Sequence, residues 1–185
     1  MGKSNFIINT GRIQGDINQG NTVMSPNLTA PNDARNTKAN NYRYDVAVSY
    51  ASEQELYVTR TAKILEKEHL KVFFAPNREE EFLGRDMITE FYDIYRYESM
   101  FVACFISEDY LKKDITMHEA KTALLRTKEE KRNCLIPVYW GKARLAGLDP
   151  DIHFLNADLL REVEVAEKIK LIVNKFKETS TASMR

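Results

Sequence analysis

Two short runs carry the side chains best suited to chemistry. Tyr44-Asp45-Val46-Ala47-Val48-Ser49-Tyr50-Ala51-Ser52-Glu53 reads as an apolar strand that stops at small and hydroxyl-bearing residues, and Ile115-Thr116-Met117-His118-Glu119 opens a helix bearing a carboxylate. Together they suggest a site that handles a nucleotide. At about 100° per residue, Thr116, Met117, Ala120, Ala123 and Leu124 form the buried stripe of that helix. Glu119 then lies at the stripe's edge, where it can look into a cleft, and His118 faces solvent. The competing reading of Glu119 is an ordinary first-turn glutamate favoured by the helix dipole. Trp140, the only tryptophan, is either a core residue or an indole placed at a strand end to stack on a base or nicotinamide ring.

Positioning these groups requires a scaffold, and the hydrophobic pattern supplies one. Strands are expected over Tyr44–Ser49, Lys71–Phe74, Met100–Ile106, Leu135–Trp140 and Ile152–Leu155. Between the strands, Val58, Ala62 and Leu65 with Leu56 and Ile64 mark one helix, and Met87, Phe91, Ile94 and Tyr95 recur at helical spacing. Val165, Ile169, Ile172, Val173 and Phe176 mark a final amphipathic helix. Alternation of this kind implies right-handed crossovers and an α/β, flavodoxin-like fold, with a central parallel sheet of about five strands and helices on both faces. Ligands of such sheets bind outside the carboxyl ends of the strands. That rule selects Ser49, Tyr50 and Ala51, then Ala75, Pro76 and Asn77, then Ser107, then Tyr139 and Trp140.

Composition excludes several uses of this fold. Lys+Arg of 27 balance Asp+Glu of 27, so no whole-chain field draws nucleic acid or an anionic membrane. A phosphorelay receiver needs acidic residues after its first and third strands, where Ser49-Tyr50 and Ser107 stand instead. There is no G-x-x-x-x-G-K-[ST] loop and no G-x-G-x-x-G after a strand. His69, His118 and His153 lie far apart, without a partner at metal-site spacing, so no metal is expected. Cys104 and Cys134 fall within apolar runs and read as reduced, buried thiols. With no signal peptide and no run near the roughly 20 apolar residues of a membrane span, the expected location is the cytoplasm.

Residues 1–42 are rich in Asn, Gly, Thr, Gln and Pro and read as a polar extension and linker. Within them an Ile, polar, Gly rhythm fits either a flexible leader or a small hairpin that adds to another chain's edge. Residues 43–178 are the expected domain, and 179–185 a C-terminal tail.

Several segments resemble Toll/interleukin-1 receptor (TIR) domains. Tyr44-Asp45-Val46-Ala47-Val48-Ser49-Tyr50-Ala51 resembles their first box, and Phe105-Ile106-Ser107-Glu108-Asp109-Tyr110 their third-strand segment. Leu83-Gly84-Arg85-Asp86 looks like the end of their BB loop. Ile115-Thr116-Met117-His118-Glu119 looks like the helix motif written W-T-x-H-E in many bacterial members, and Leu135-Ile136-Pro137-Val138 with Leu145-Ala146-Gly147-Leu148 resembles their "ILPV…LPGL" stretch. The match runs in order over about residues 42–178.

The resemblance, to bacterial stand-alone members of the NAD+-cleaving kind, implies an NAD+ nucleosidase that breaks the nicotinamide–ribose bond to give nicotinamide and ADP-ribose or a cyclic isomer. It also implies antiphage defence signalling. The motif's catalytic glutamate falls on Glu119, with Ser49, Tyr50, Ala51, Phe74, Ile115 and Trp140 as expected substrate contacts. NAD+ enters as substrate, and no permanently bound cofactor is expected. The implied partners are other TIR domains, met through Phe82, Leu83 and Gly84 of the BB loop, and a separate effector that senses the product. Ile115 stands where the motif has tryptophan, so aliphatic packing replaces ring stacking there and Trp140 is the available aromatic surface. That departure keeps a second class open, a non-catalytic adaptor that only assembles with TIR domains, and a third, an effector that interferes with host TIR signalling.

Overall fold

The uninterrupted apolar run near residue 100 becomes the middle strand of a five-stranded sheet. In the computed structural model, which describes residues 42–77, 84 and 86–182, this strand is β3 (Ser99–Ile106) and every residue of it is buried. A strand covered on both faces has no polar side to show, which is why its sequence does not alternate. It is flanked by β1 (Tyr44–Tyr50) and β4 (Leu135–Tyr139), and the edges are two-residue strands, β2 (Val72–Phe73) and β5 (Leu155–Asn156). The order is β2-β1-β3-β4-β5 and all pairs are parallel. The fifth strand is shorter and later than the expected Ile152–Leu155.

Two helical layers cover the sheet. On one face α1 (Glu55–Lys67) and α5 (Glu162–Ala182) bury Val58, Ala62, Leu65, Val165, Ala166, Ile169 and Val173 against Val46, Val48, Ala103 and Phe105. On the other, α2 (Met87–Asp93), a π-helical turn (Ile94–Glu98), α3 (Glu108–Lys112) and α4 (Asp114–Glu130) pack on Ala47, Val102, Cys104 and Ile106. Two expected core residues lie outside it: Leu56 is 68% exposed and Ile172 is 38% exposed. Leu56 precedes Val58 by two residues, about 200° around the helix, and so falls on the far side.

Polar anchors fix the layers at the amino ends of the strands. Asp45, buried in β1, accepts from the Lys71 amide at 2.9 Å and pairs with Lys177 of α5 at 2.7 Å. Arg126 of α4, 1% exposed, donates to the carbonyls of Ser99 and Met100 and through Nε to Glu130. This fork ties α4 to the start of β3, where Arg132 also donates to the Met100 carbonyl at 3.0 Å.

Candidate active site

The strand order places a crevice between β1 and β3. After β1 the chain steps outward to β2, then crosses back to β3 on the other side, and in parallel sheets such a reversal opens a cleft at the carboxyl ends. A bridge spans that point, Ser107 Oγ donating to Gln54 Oε1 at 2.9 Å. Beneath it, the register pairs Ser49 with Cys104, and both side chains face the α4 layer.

Glu119 comes to this point from the second turn of α4. The buried face of that helix is Thr116, Glu119, Ala120, Thr122, Ala123 and Arg126, so Glu119 lies within the buried face and not at its edge as the apolar spacing implied. Four of its six residues are polar, and counting only apolar residues rotates it toward Met117 and Leu124, which are half-buried. Ser49 Oγ donates to Glu119 Oε2 at 2.5 Å and lies 2.6 Å from the hydroxyl of Tyr110. Tyr110 is held by its own local structure: Ser107 caps α3 by accepting from the Tyr110 amide at 3.1 Å, and Thr116 Oγ1 donates to the Tyr110 carbonyl at 2.6 Å.

Tyr95 completes the group from the π-helical turn. Such turns insert one extra residue into a helix and redirect its side chains. Here the turn sends Tyr95 into the core, edge-on to Phe73 and Phe91, with its hydroxyl donating to the Val48 carbonyl at 3.0 Å and bearing on the Glu119 carboxyl. Tyr95 and Tyr110 belong to the site although sequence spacing marked Tyr95 only as an apolar position and Tyr110 only as part of a motif.

Burial dominates the electrostatics. It pushes the Glu119 carboxyl up to about 8, against the opposing pull of the Ser49 hydrogen bond and of the neighbouring Tyr95 hydroxyl. Burial also raises the Cys104 thiol to about 12 and holds Tyr95 and Tyr110 well above the usual phenol range. Glu119 is therefore the group here whose charge changes near neutral pH. A lone carboxyl in a cradle of neutral hydroxyls is suited to meeting a positive charge on a substrate.

The remaining expected residues are dispersed around this centre. Ala51 is buried at the end of β1 on the Glu119 side, and Ile115, half-buried, lies one helical turn before Glu119. Tyr50 and Phe74 stack on each other, centroids 5.5 Å apart, with the α1 and α5 layer. Trp140 packs in that layer too, edge-on to Tyr57 at 5.1 Å and near Phe105 at 6.0 Å. The fold does not bring Trp140 to Glu119. His118 is exposed beside Tyr92. Gly84 is exposed with a φ of +76°, and Phe82 and Leu83 lie outside the described residues. Among the described residues no three metal-ligating side chains gather, and no helix is long and apolar enough to cross a membrane.

A doubly covered parallel sheet with a carboxyl at its switch point places the chain among flavodoxin-like α/β domains, and comparison with known proteins narrows the class. The TIR domain family matches residues 46–170. A 3' cyclic ADP-D-ribose synthase, AaTIR, from Aquimarina amphilecti is 31% identical over 144 residues, which are 78% of this chain and 43% of that protein. The chain thus belongs to the TIR domain family, and it spans less than half the length of that relative. Among solved structures, the TIR domain of the Toll-related receptor TRR-2 from Hydra magnipapillata shares the fold at a TM-score of 0.50, with 19% identity, covering 73% of this chain and 97% of that one. A TIR-STING receptor from C. gigas does so at 0.52, with 18% identity and coverage of 71% and 40%.

Proposed function

We propose that this domain cleaves NAD+ at the nicotinamide–ribose bond, with Glu119 as the catalytic carboxylate. The observation that carries the reading is the buried Glu119 carboxyl held by hydroxyls at the β1/β3 crevice, in a chain 31% identical to a cyclic ADP-ribose synthase. Breaking the bond sends its electron pair to the ring nitrogen, so nicotinamide departs neutral and needs no general acid. The positive charge passes to the ribose as an oxocarbenium ion, which a carboxylate stabilises directly or through the ribose hydroxyls. Water then adds to give ADP-ribose, or a nucleophile of the same molecule closes a cyclic isomer.

In this reading Ile115 lines the nicotinamide side, and Ser49 and Ala51 border the ribose. Tyr50, Phe74 and Trp140 flank the dinucleotide only where it passes over the strand ends to the other face. The product is a signal of antiphage defence in the cytoplasm, read by a separate effector, and copies of the domain assemble through Phe82, Leu83 and Gly84. Purified protein incubated with NAD+, with products resolved by chromatography, tests the reaction; absence of nicotinamide release under conditions that promote assembly overturns it. One observation favours the second reading, an interaction module: Glu119 is only 5% exposed.

A further inference from the structure

We infer that Ser49 is the positioning residue of Glu119, the middle member of a one-way hydrogen-bond relay in which Tyr110 donates to Ser49 and Ser49 donates to the carboxylate. The inference rests on the reading of Glu119 as the catalytic group. A serine hydroxyl has one proton. Ser49 gives it to Glu119 Oε2 at 2.5 Å, so the 2.6 Å contact with Tyr110 must carry the tyrosine's proton toward Ser49. An ionised carboxylate can only accept, so the direction is fixed once Glu119 carries its charge, and Tyr110, kept a neutral phenol by burial, has the proton to give.

The relay is anchored at both ends. Ser49 is 1% exposed in a strand paired to Cys104, and Tyr110 is locked by the Ser107 cap and by Thr116, which also ties α3 to the first turn of the helix that bears Glu119. The titratable groups facing Glu119 are Tyr95 from the π-helical turn, Tyr110 from α3 and Cys104 from β3, all held neutral by burial. Among the described residues no lysine, arginine or histidine contributes to its ionisation. Where no cation offsets the loss of water, hydrogen bonds are what favour the charged form. Ser49 therefore fixes one carboxylate oxygen, leaving the other for the substrate.

The test follows the carboxyl itself. Protein labelled with 13C at the glutamate carboxyls is titrated by NMR, the Glu119 signal being the one lost in Glu119→Gln. Ser49→Ala should raise its midpoint by about one pH unit or more, the size of one hydrogen bond to a charged group. Tyr110→Phe, which keeps the ring and its packing, should raise it by less. The acid limb of kcat/KM for NAD+ cleavage should move with the midpoint, and because binding expels the proton the loss at neutral pH should fall mainly on KM.

A serine that only fills space would alter the melting temperature and leave the midpoint in place. Unchanged midpoints in both variants overturn the relay, and Tyr110→Phe alone decides if Ser49→Ala does not fold. A midpoint that moves in a protein unable to cleave NAD+ supports the relay and defeats the catalytic reading.

Discussion

Glu119 and Trp140 lie on opposite faces of the sheet, the carboxyl with α4 and the indole with α1 and α5. β3 separates them, Cys104 pointing to one and Phe105 to the other. Trp140→Ala is expected to open a cavity between Tyr57 and Phe105 and cost about 3 kcal/mol, the lower end for a large aromatic because the ring is half-buried. The ratio of linear to cyclic product should stay as in the parent, and Trp140→Phe should recover most of the stability. A product mixture that shifts toward linear ADP-ribose without a change in melting would make Trp140 a residue that steers the product instead of a packing residue.

Glu119→Gln should separate catalysis from stability. Loss of the carboxylate is expected to slow NAD+ cleavage by a factor of ~10³ or more. Folding should respond the other way. The folded-state value of about 8 lies above the ordinary 4.5, so the folded state holds this proton more tightly than the unfolded one. Stability from this group is complete below pH 4.5, falls as pH rises toward 8, and stays low above it. Glutamine carries no such penalty. Melting curves should therefore show the variant above the parent at pH 9, by roughly 5 °C or more, with the gap closing near pH 4.

Substrate binding should expel a proton. Near pH 7 the resting carboxyl is mostly protonated, given its value of about 8, and a pyridinium cation brought beside it favours ionisation. Calorimetry with a cleavage-resistant NAD+ analogue, repeated in buffers of different ionisation enthalpy, should report release of up to about one proton per site at pH 7. Glu119→Gln should show none.

Gly84 adopts a φ of +76° with open space around it. Proline, restricted to φ near −65°, cannot take that conformation. Gly84→Pro is expected to redirect the BB loop, and Phe82→Ala to remove an apolar side chain from its sequence. Both should reduce the sedimentation-detected oligomer and NAD+ cleavage together. Wild-type oligomer size and activity in both would exclude this loop from assembly.

Arg126→Ala removes a fully buried guanidinium from two main-chain carbonyls and from Glu130. Arg132 still serves the Met100 carbonyl and Glu130, so the cost falls on the Ser99 contact and the emptied volume and should be about 2 kcal/mol or more. Denaturant melts would read this as a lower midpoint at an unchanged slope.

Much of this architecture is legible in the residues. The strands are short apolar runs bounded by polar segments, and the first, third and fourth fall within a residue or so of where those runs sit. What periodicity misjudges is the polar interior. The face of α4 contains Thr116, Glu119, Thr122 and Arg126, so an apolar count turns the helix and sets Glu119 at a rim. Tyr95 escapes for a different reason. Its orientation comes from a π-helical turn, and nothing in Ile94-Tyr95-Arg96-Tyr97-Glu98 distinguishes that turn from one more turn of α-helix. Trp140 sits at a strand end as its position implies, but the face it takes depends on α1 and α5, which are remote in sequence.

The two edge strands have a consequence for crowding. β2 and β5 are each two residues long, and a foreign strand needs a longer exposed ladder to dock and template cross-β growth. However densely copies of this domain are gathered, the sheet gives them almost nothing to zip together. Contacts between copies would fall instead to loops and helix surfaces, which can let go again.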